Sequence, residues 1–147
     1  MKIAMGCDPN AAEMKLHMVE YVKSLGHEVT DFGSTDPIYA NVAFAVGEAV
    51  AAGKFDRGIL FCGTGIGVML AANKVQGCYA AVVSDVYSAQ RACLSNNCNV
   101  ITIGSQVTGV KKAEAMVQEY LSCQYDPNTR SGEKVDAIVD YAKKHSC

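Results

Sequence analysis

The chain has no tryptophan, only 3 prolines and no apolar run approaching the roughly 20 residues that a membrane span requires. No signal-peptide cleavage region separates the N-terminal MKIAMGCD from strand-like sequence, so a cytoplasmic protein with no membrane partner is expected. An excess of one charge is also missing: 13 Lys+Arg stand against 15 Asp+Glu, a formal net charge of −2. That balance supplies no basic field for a polyphosphate backbone and argues against nucleic acid as a partner. A small anion needs only a few local donors and remains possible. Paired cysteine motifs are absent as well. The 7 cysteines lie at 7, 62, 78, 93, 98, 123 and 147, without a CxxC, and Cys93 with Cys98 lacks the second half of a zinc pattern. No metal site is expected, and all but one of these thiols read as small buried apolar residues of a reducing compartment.

What is present is half apolar, 50% of 147 residues, which excludes a disordered or fibrous chain and suits one domain over residues 1–147. The apolar pattern alternates between short β-rich runs and longer one-sided helical spacings. Strands are expected at 2–7, 28–32, 57–62, 78–83 and 99–103, and helices at 11–25, 42–52, 66–74, 87–94 and 110–121. A last helix at about 132–144 ends a C-terminal arm of about 124–147. Gly26 and Gly53 stand where left-handed helix ends are wanted, and Ser84 and Asp85 where an N-cap is. The runs ILFC and AAVV are apolar on both faces, which implies a parallel sheet covered by helices on each side. Ligands of such sheets bind beyond the carboxyl ends of the strands.

At one such end stands FCGTGIG. A thiol, Cys62, is followed by Gly63, Gly65 and Gly67, which let backbone N–H groups approach a ligand, and the loop opens a helix. The Lys and Ser/Thr of a Walker loop are missing, the spacing is GxGxG rather than GxGxxG, and no Arg closes the loop. Nucleotide binding and cysteine-dependent phosphate-ester hydrolysis are therefore disfavoured. A Cys beside backbone donors suits moving a proton next to a carbonyl, as in an aldose–ketose isomerase. Cys62 is then the general base and Thr64 a donor to the developing oxyanion, with no metal or organic cofactor required.

The segments GCD at 6–8, GHEVTDFG at 26–33, RGILFCGTGIGVMLAANKV at 57–75, SDVYSAQ at 84–90 and NVITIGSQVTG at 99–109 resemble the B-type ribose-5-phosphate isomerases. That family also holds galactose- and allose-6-phosphate isomerases and an erythrulose-4-phosphate branch. The resemblance implies a three-layer α/β/α sandwich with a five-stranded parallel Rossmann-like sheet of order 2-1-3-5-4. It implies a homodimer or dimer of dimers with shared active sites, and isomerisation of a small phosphosugar through a cis-enediol. Cys62 matches the base, and Thr64 with Gly63, Gly65 and Gly67 the enediolate loop. Asp8 matches a residue that binds sugar hydroxyls, and Asn96 one near the reacting end.

Three departures from the family pattern stand out. Pro9 replaces a His of the family, Ser95 stands where the ring-opening His is usual, and the C-terminal pattern leaves Arg130 and Lys134 as the nearest cations for phosphate. Arg91, one helical turn before Ser95, is either a further phosphate ligand or a solvated helix residue. His17 and His27 read as surface residues. Ribose 5-phosphate is the family's default substrate, with Ser95 or water opening the ring. A tetrose phosphate is the alternative, because a 4-phosphate blocks furanose closure and makes the His dispensable. A non-catalytic phosphosugar-binding module and a thiol redox protein are the competing classes. The segment 125–132 is expected to act as an arm over the substrate of a neighbouring subunit.

Overall fold

The computed structural model describes residues 1–145. Cys147 and the end of the expected arm lie outside the described residues. Five strands alternate with helices: β1 (Lys2–Cys7), α1 (Ala12–Ser24), β2 (Glu28–Asp31), α2 (Tyr39–Ala51), β3 (Arg57–Cys62), α3 (Ile66–Ala72), β4 (Ala80–Val82), α4 (Val86–Leu94), β5 (Val100–Gly104) and α5 (Val110–Ser122). A final helix, α6 (Gly132–His145), comes last. All strand pairs are parallel, in the order β2-β1-β3-β5-β4, which is the expected sandwich and strand order.

Side chains of a strand alternate between faces, and the core divides accordingly. Ile3, Met5, Ile59, Phe61, Ile101 and Ile103 pack under α1, α4 and α5. Ala4, Leu60, Cys62 and Val100 point the other way, under α2 and α3. Each fully buried Ile, Leu or Met contributes about 1.5–3 kcal/mol against the entropy of ordering the chain. The continuous apolar reading of β3 is thus the sum of two half-patterns, one per helical layer.

Several element ends differ from expectation, for local reasons. α2 starts at Tyr39 rather than at 42 because Asp36 accepts from Ile38 N at 2.8 Å and from Asn41 Nδ2 at 2.9 Å, shaping the turn before it. α3 stops at Ala72, two residues early. There Asn73 turns its amide to the backbone of Ala80, donating to its O at 2.9 Å and accepting its N–H at 2.8 Å. The same bonds hold the start of β4 at Ala80 rather than at 78. Gly26 and Gly53 take the expected positive φ, and Asp85 caps α4 through Ser88 N at 2.7 Å. No helix among the described residues is long and apolar enough to cross a membrane.

The last helix stands partly apart. Gly132 and Val135 are buried on the chain's own surface, whereas Ile138 and Tyr141 are 53% and 65% exposed. Its apolar stripe is therefore left mostly uncovered by this chain.

Candidate active site

The parallel sheet delivers the ends of β1, β3 and β5 to one edge. Cys62 closes β3, opposite Gly104 of β5, and is 5% exposed. Its Sγ accepts the N–H of Gly65 at 3.1 Å. An N–H aimed at a sulfur stabilises negative charge there. This bond requires Gly65 to adopt φ +80, where side chains are strained, and a Cβ there would lie 3.0 Å from the Gly104 nitrogen. Gly104 is equally constrained, since its Cβ would meet the backbone of Thr64 at 2.5 Å. The loop thus lies directly on the end of β5. Thr64 is exposed, and its Oγ1 accepts from Ile66 N at 3.2 Å, so the hydroxyl proton is available to a ligand oxygen. With α3 only 7 residues long, the donor at the sulfur is an individual N–H rather than the end of a long helix dipole.

Asp8 lies one step beyond the Cys7–Phe61 pair and so alongside Cys62, with its N–H on Phe61 O at 3.1 Å. One carboxylate oxygen, Oδ1, accepts from Asn10 N at 2.9 Å. Two further side chains, not anticipated from sequence, bracket the loop. The ring of Tyr39 covers Gly67 so closely that a Cβ would fall 2.5 Å from it, and the Gln106 carboxamide lies over Gly63, 3.4 Å from a Cβ position. Gln106 stands just past the end of β5, and that position was the available signal. Tyr39 opens a helix distant in sequence, and nothing local marked it.

Arg91, Ser95, Asn96, Arg130 and Lys134 are brought together elsewhere, around a cavity of about 290 Å³ that also meets Ser131. Arg91 Nη1 donates to Ser95 Oγ at 3.2 Å, and Asn96 Nδ2 to Arg91 O at 3.0 Å. Three cations and two hydroxyls face this space with no carboxylate among the lining residues, a composition suited to an anion. Arg57 donates to Tyr120 O and Cys123 O at the end of α5.

The two groups lie at opposite ends of the sheet. α4 runs back along the strands, and Asn99, just past Asn96, accepts from Gly58 N at the start of β3. Cys62 closes the same strand four residues beyond Gly58, about 13 Å along it at ~3.3 Å per residue. A single chain therefore carries two separate groups of the candidate residues. The cavity of Arg91 and Arg130 is lined by no histidine. His17 pairs with Glu114 at 2.7 Å and lines a second cavity with Asn10 and Gln106, and His27 meets the N-terminal amine at 3.1 Å. Among the described residues, no group of three or more His, Cys, Asp or Glu could hold a metal ion.

Burial is the main cause that pushes Cys7 up to about 11, Cys78 up to about 12 and Cys98 up to about 11. Such thiols stay protonated and inert at neutral pH.

The fold and the thiol loop together define an α/β isomerase, and comparison with known proteins agrees. The family model described as Ribose/Galactose Isomerase matches residues 3–138. D-erythrulose-4-phosphate isomerase 2 of Mycolicibacterium smegmatis is 50% identical over 103 residues, 70% of this chain and 68% of the relative. Ribose-5-phosphate isomerase B of Escherichia coli is 42% identical over 143 residues, 94% of each chain. The solved ribose-5-phosphate isomerase B of Clostridium thermocellum superposes with a TM-score of 0.93 at 35% identity, covering 99% of this chain and 100% of that one. The chain belongs to the ribose/galactose isomerase family and is an aldose–ketose isomerase of phosphosugars.

Proposed function

We propose that Cys62 is the proton-transferring base of a cofactor-free isomerase that interconverts ribose 5-phosphate and ribulose 5-phosphate. The Gly65 N–H on the Cys62 sulfur carries this reading. The thiolate takes the proton from carbon 2 of the open-chain aldose, and the electron pair moves through carbon 1 onto its oxygen. Thr64 and the loop amides hold that oxyanion as a cis-enediolate. The carbon-2 hydroxyl proton passes to oxygen 1, the thiol returns its proton to carbon 1, and the ketose is formed with Cys62 a thiolate again. Asp8 binds a sugar hydroxyl through its second oxygen.

The phosphate is held by Arg91, Arg130 and Lys134 with Ser95 and Asn96 nearby, contributed by a second copy of the chain. The separation of the two half-sites along β3 supports a homodimer or dimer of dimers. So does the exposed apolar surface of Ile66 and Leu70 on the helix that follows the thiol loop. The segment 125–132 then acts as the arm that carries Arg130 to the neighbouring site. We read residues 1–147 as one cytoplasmic domain, a reading supported by the free state of the six described cysteines.

A second reading takes a tetrose phosphate as substrate, and Ser95 in the place of the expected ring-opening His, in a cavity lined by no histidine, favours it. Erythrose 4-phosphate cannot close a furanose and needs no ring-opening acid. The test is turnover of the purified protein on ribose 5-phosphate and erythrose 4-phosphate side by side, with Cys62→Ala as control. Preference for ribose means that Ser95 or water opens the ring. Preference for erythrose makes the missing His a mark of substrate. A loss below tenfold in Cys62→Ala removes Cys62 as base, and inactivity of the native chain on both sugars favours a binding module.

A further inference from the structure

Thr102 lies in the middle of β5 between Ile101 and Ile103, and it is fully buried. A hydroxyl in that position is costly unless bonded. Its Oγ1 donates to the carbonyl of Gly65 at 2.6 Å, in the interior. Gly65 is thereby held on both sides: its N–H is on Cys62 Sγ at 3.1 Å and its C=O is on Thr102. Glycine has little conformational preference of its own, so these two bonds and the close backbone of Ile103 and Gly104 decide where its N–H points.

We propose that Thr102 is a positioning residue for the reaction, holding Gly65 so that its N–H remains directed at the Cys62 sulfur. The inference rests on Cys62 being the base. Without the Thr102 donor, the Gly65 carbonyl is buried and unpaired, and the loop relieves this by rotating about the two soft dihedrals of Gly65. The N–H then leaves the sulfur and the thiolate loses its donor. The Thr102 hydroxyl donates to the Gly65 carbonyl and not to the sulfur. Its effect passes entirely through one glycine, whose φ of +80 would strain any side chain.

The experiment compares native protein, Thr102→Val and Thr102→Ser. The pH dependence of kcat is measured alongside the pH dependence of Cys62 alkylation by iodoacetamide, with peptide mass mapping of the alkylated site. Thr102→Val is expected to lower kcat about tenfold near neutral pH with KM within about twofold, as loss of one directed hydrogen bond predicts. Both pH profiles should move up by about one unit, since less stabilised thiolate forms at higher pH. Thr102→Ser keeps the donor and should restore both profiles. A valine variant with native profiles and alkylation rate overturns the inference, and so does a serine variant as impaired as the valine one. Should Thr102→Val not fold, the same comparison of Thr102→Ala with Thr102→Ser decides. Cys62→Ala separates the two claims. Its retention of activity removes the base itself, whereas an inactive Cys62→Ala beside an unaltered Thr102→Val removes only the role of Thr102.

Discussion

Cys7 and Cys62 end neighbouring strands of one sheet, yet they face opposite helical layers. Cys7 points under α1, where burial pushes its thiol up to about 11 and only partly yields to Lys15 and Ser34 nearby. Cys62 points under α2 and α3, where the chain folds back and lays a backbone N–H on the sulfur. Both are buried thiols on the edge where ligands bind. The connections that leave the two strands separate them. After Cys7 comes a 3-10 turn at Pro9–Ala11 whose N–H of Asn10 is bonded by Asp8, and after Cys62 comes a glycine loop whose N–H reaches the sulfur. The proposed base is thus set apart by the loop beyond its strand, whereas burial keeps the Cys7 thiol protonated.

The largest test of this contrast is removal of each sulfur. Cys62→Ala should lose 100-fold or more in kcat, in line with the ~10²–10⁴ typical of general base catalysis, and Cys7→Ala should stay within about threefold of native turnover. Equal losses would erase the distinction.

Gly65→Ala should come next. The residue sits at φ +80 with backbone within 3.0 Å of the new Cβ, so the loop must shift. Turnover should fall by about tenfold or more and stability by about 1–3 kcal/mol, read by steady-state kinetics and a denaturant melt.

A composite site predicts a smaller but distinctive effect. Cys62→Ala and Arg130→Ala proteins, each impaired alone, should recover about a quarter of native activity when mixed and allowed to exchange subunits. Half of the dimers are then mixed, and each mixed dimer holds one intact site. No recovery under demonstrated exchange would return both half-sites to one chain.

The smallest effect is on alkaline stability. Because the thiol of Cys7 is raised from 9.0 to about 11, the folded state binds more protons than the unfolded state in that interval. The stability associated with it is fully present below pH 9 and declines as pH rises toward 11. Denaturant midpoints measured across that range should fall less steeply in Cys7→Ala than in native protein. Identical slopes would mean the thiol is not held protonated by the fold.

How much of this was legible in the residues varies by region. The strand-helix alternation, the parallel sheet and the position of Cys62 at a strand end came from apolar periodicity and from glycine spacing, both local properties. The grouping of Arg91 with Ser95 came from one helical turn. Ends of elements were less legible: α3 and β4 are each shortened by the amide of Asn73, a contact between residues seven apart that no periodicity records. Tyr39 and Gln106 escaped notice because their relation to Gly67 and Gly63 exists only once α2 and the end of β5 are packed beside the loop.

By itself the sequence determined the layered α/β architecture and a thiol beside a glycine turn, because burial on both faces of a strand and the conformational freedom of glycine are written residue by residue. Only the tertiary structure decided which amide meets the sulfur and which hydroxyl steadies that amide. It likewise decided that Arg91, Arg130 and Lys134 gather around one cavity away from the thiol loop. Those outcomes depend on where distant segments come to rest. In a parallel sheet, each strand sends its end to one edge, and each helix carries the next residues back to the other.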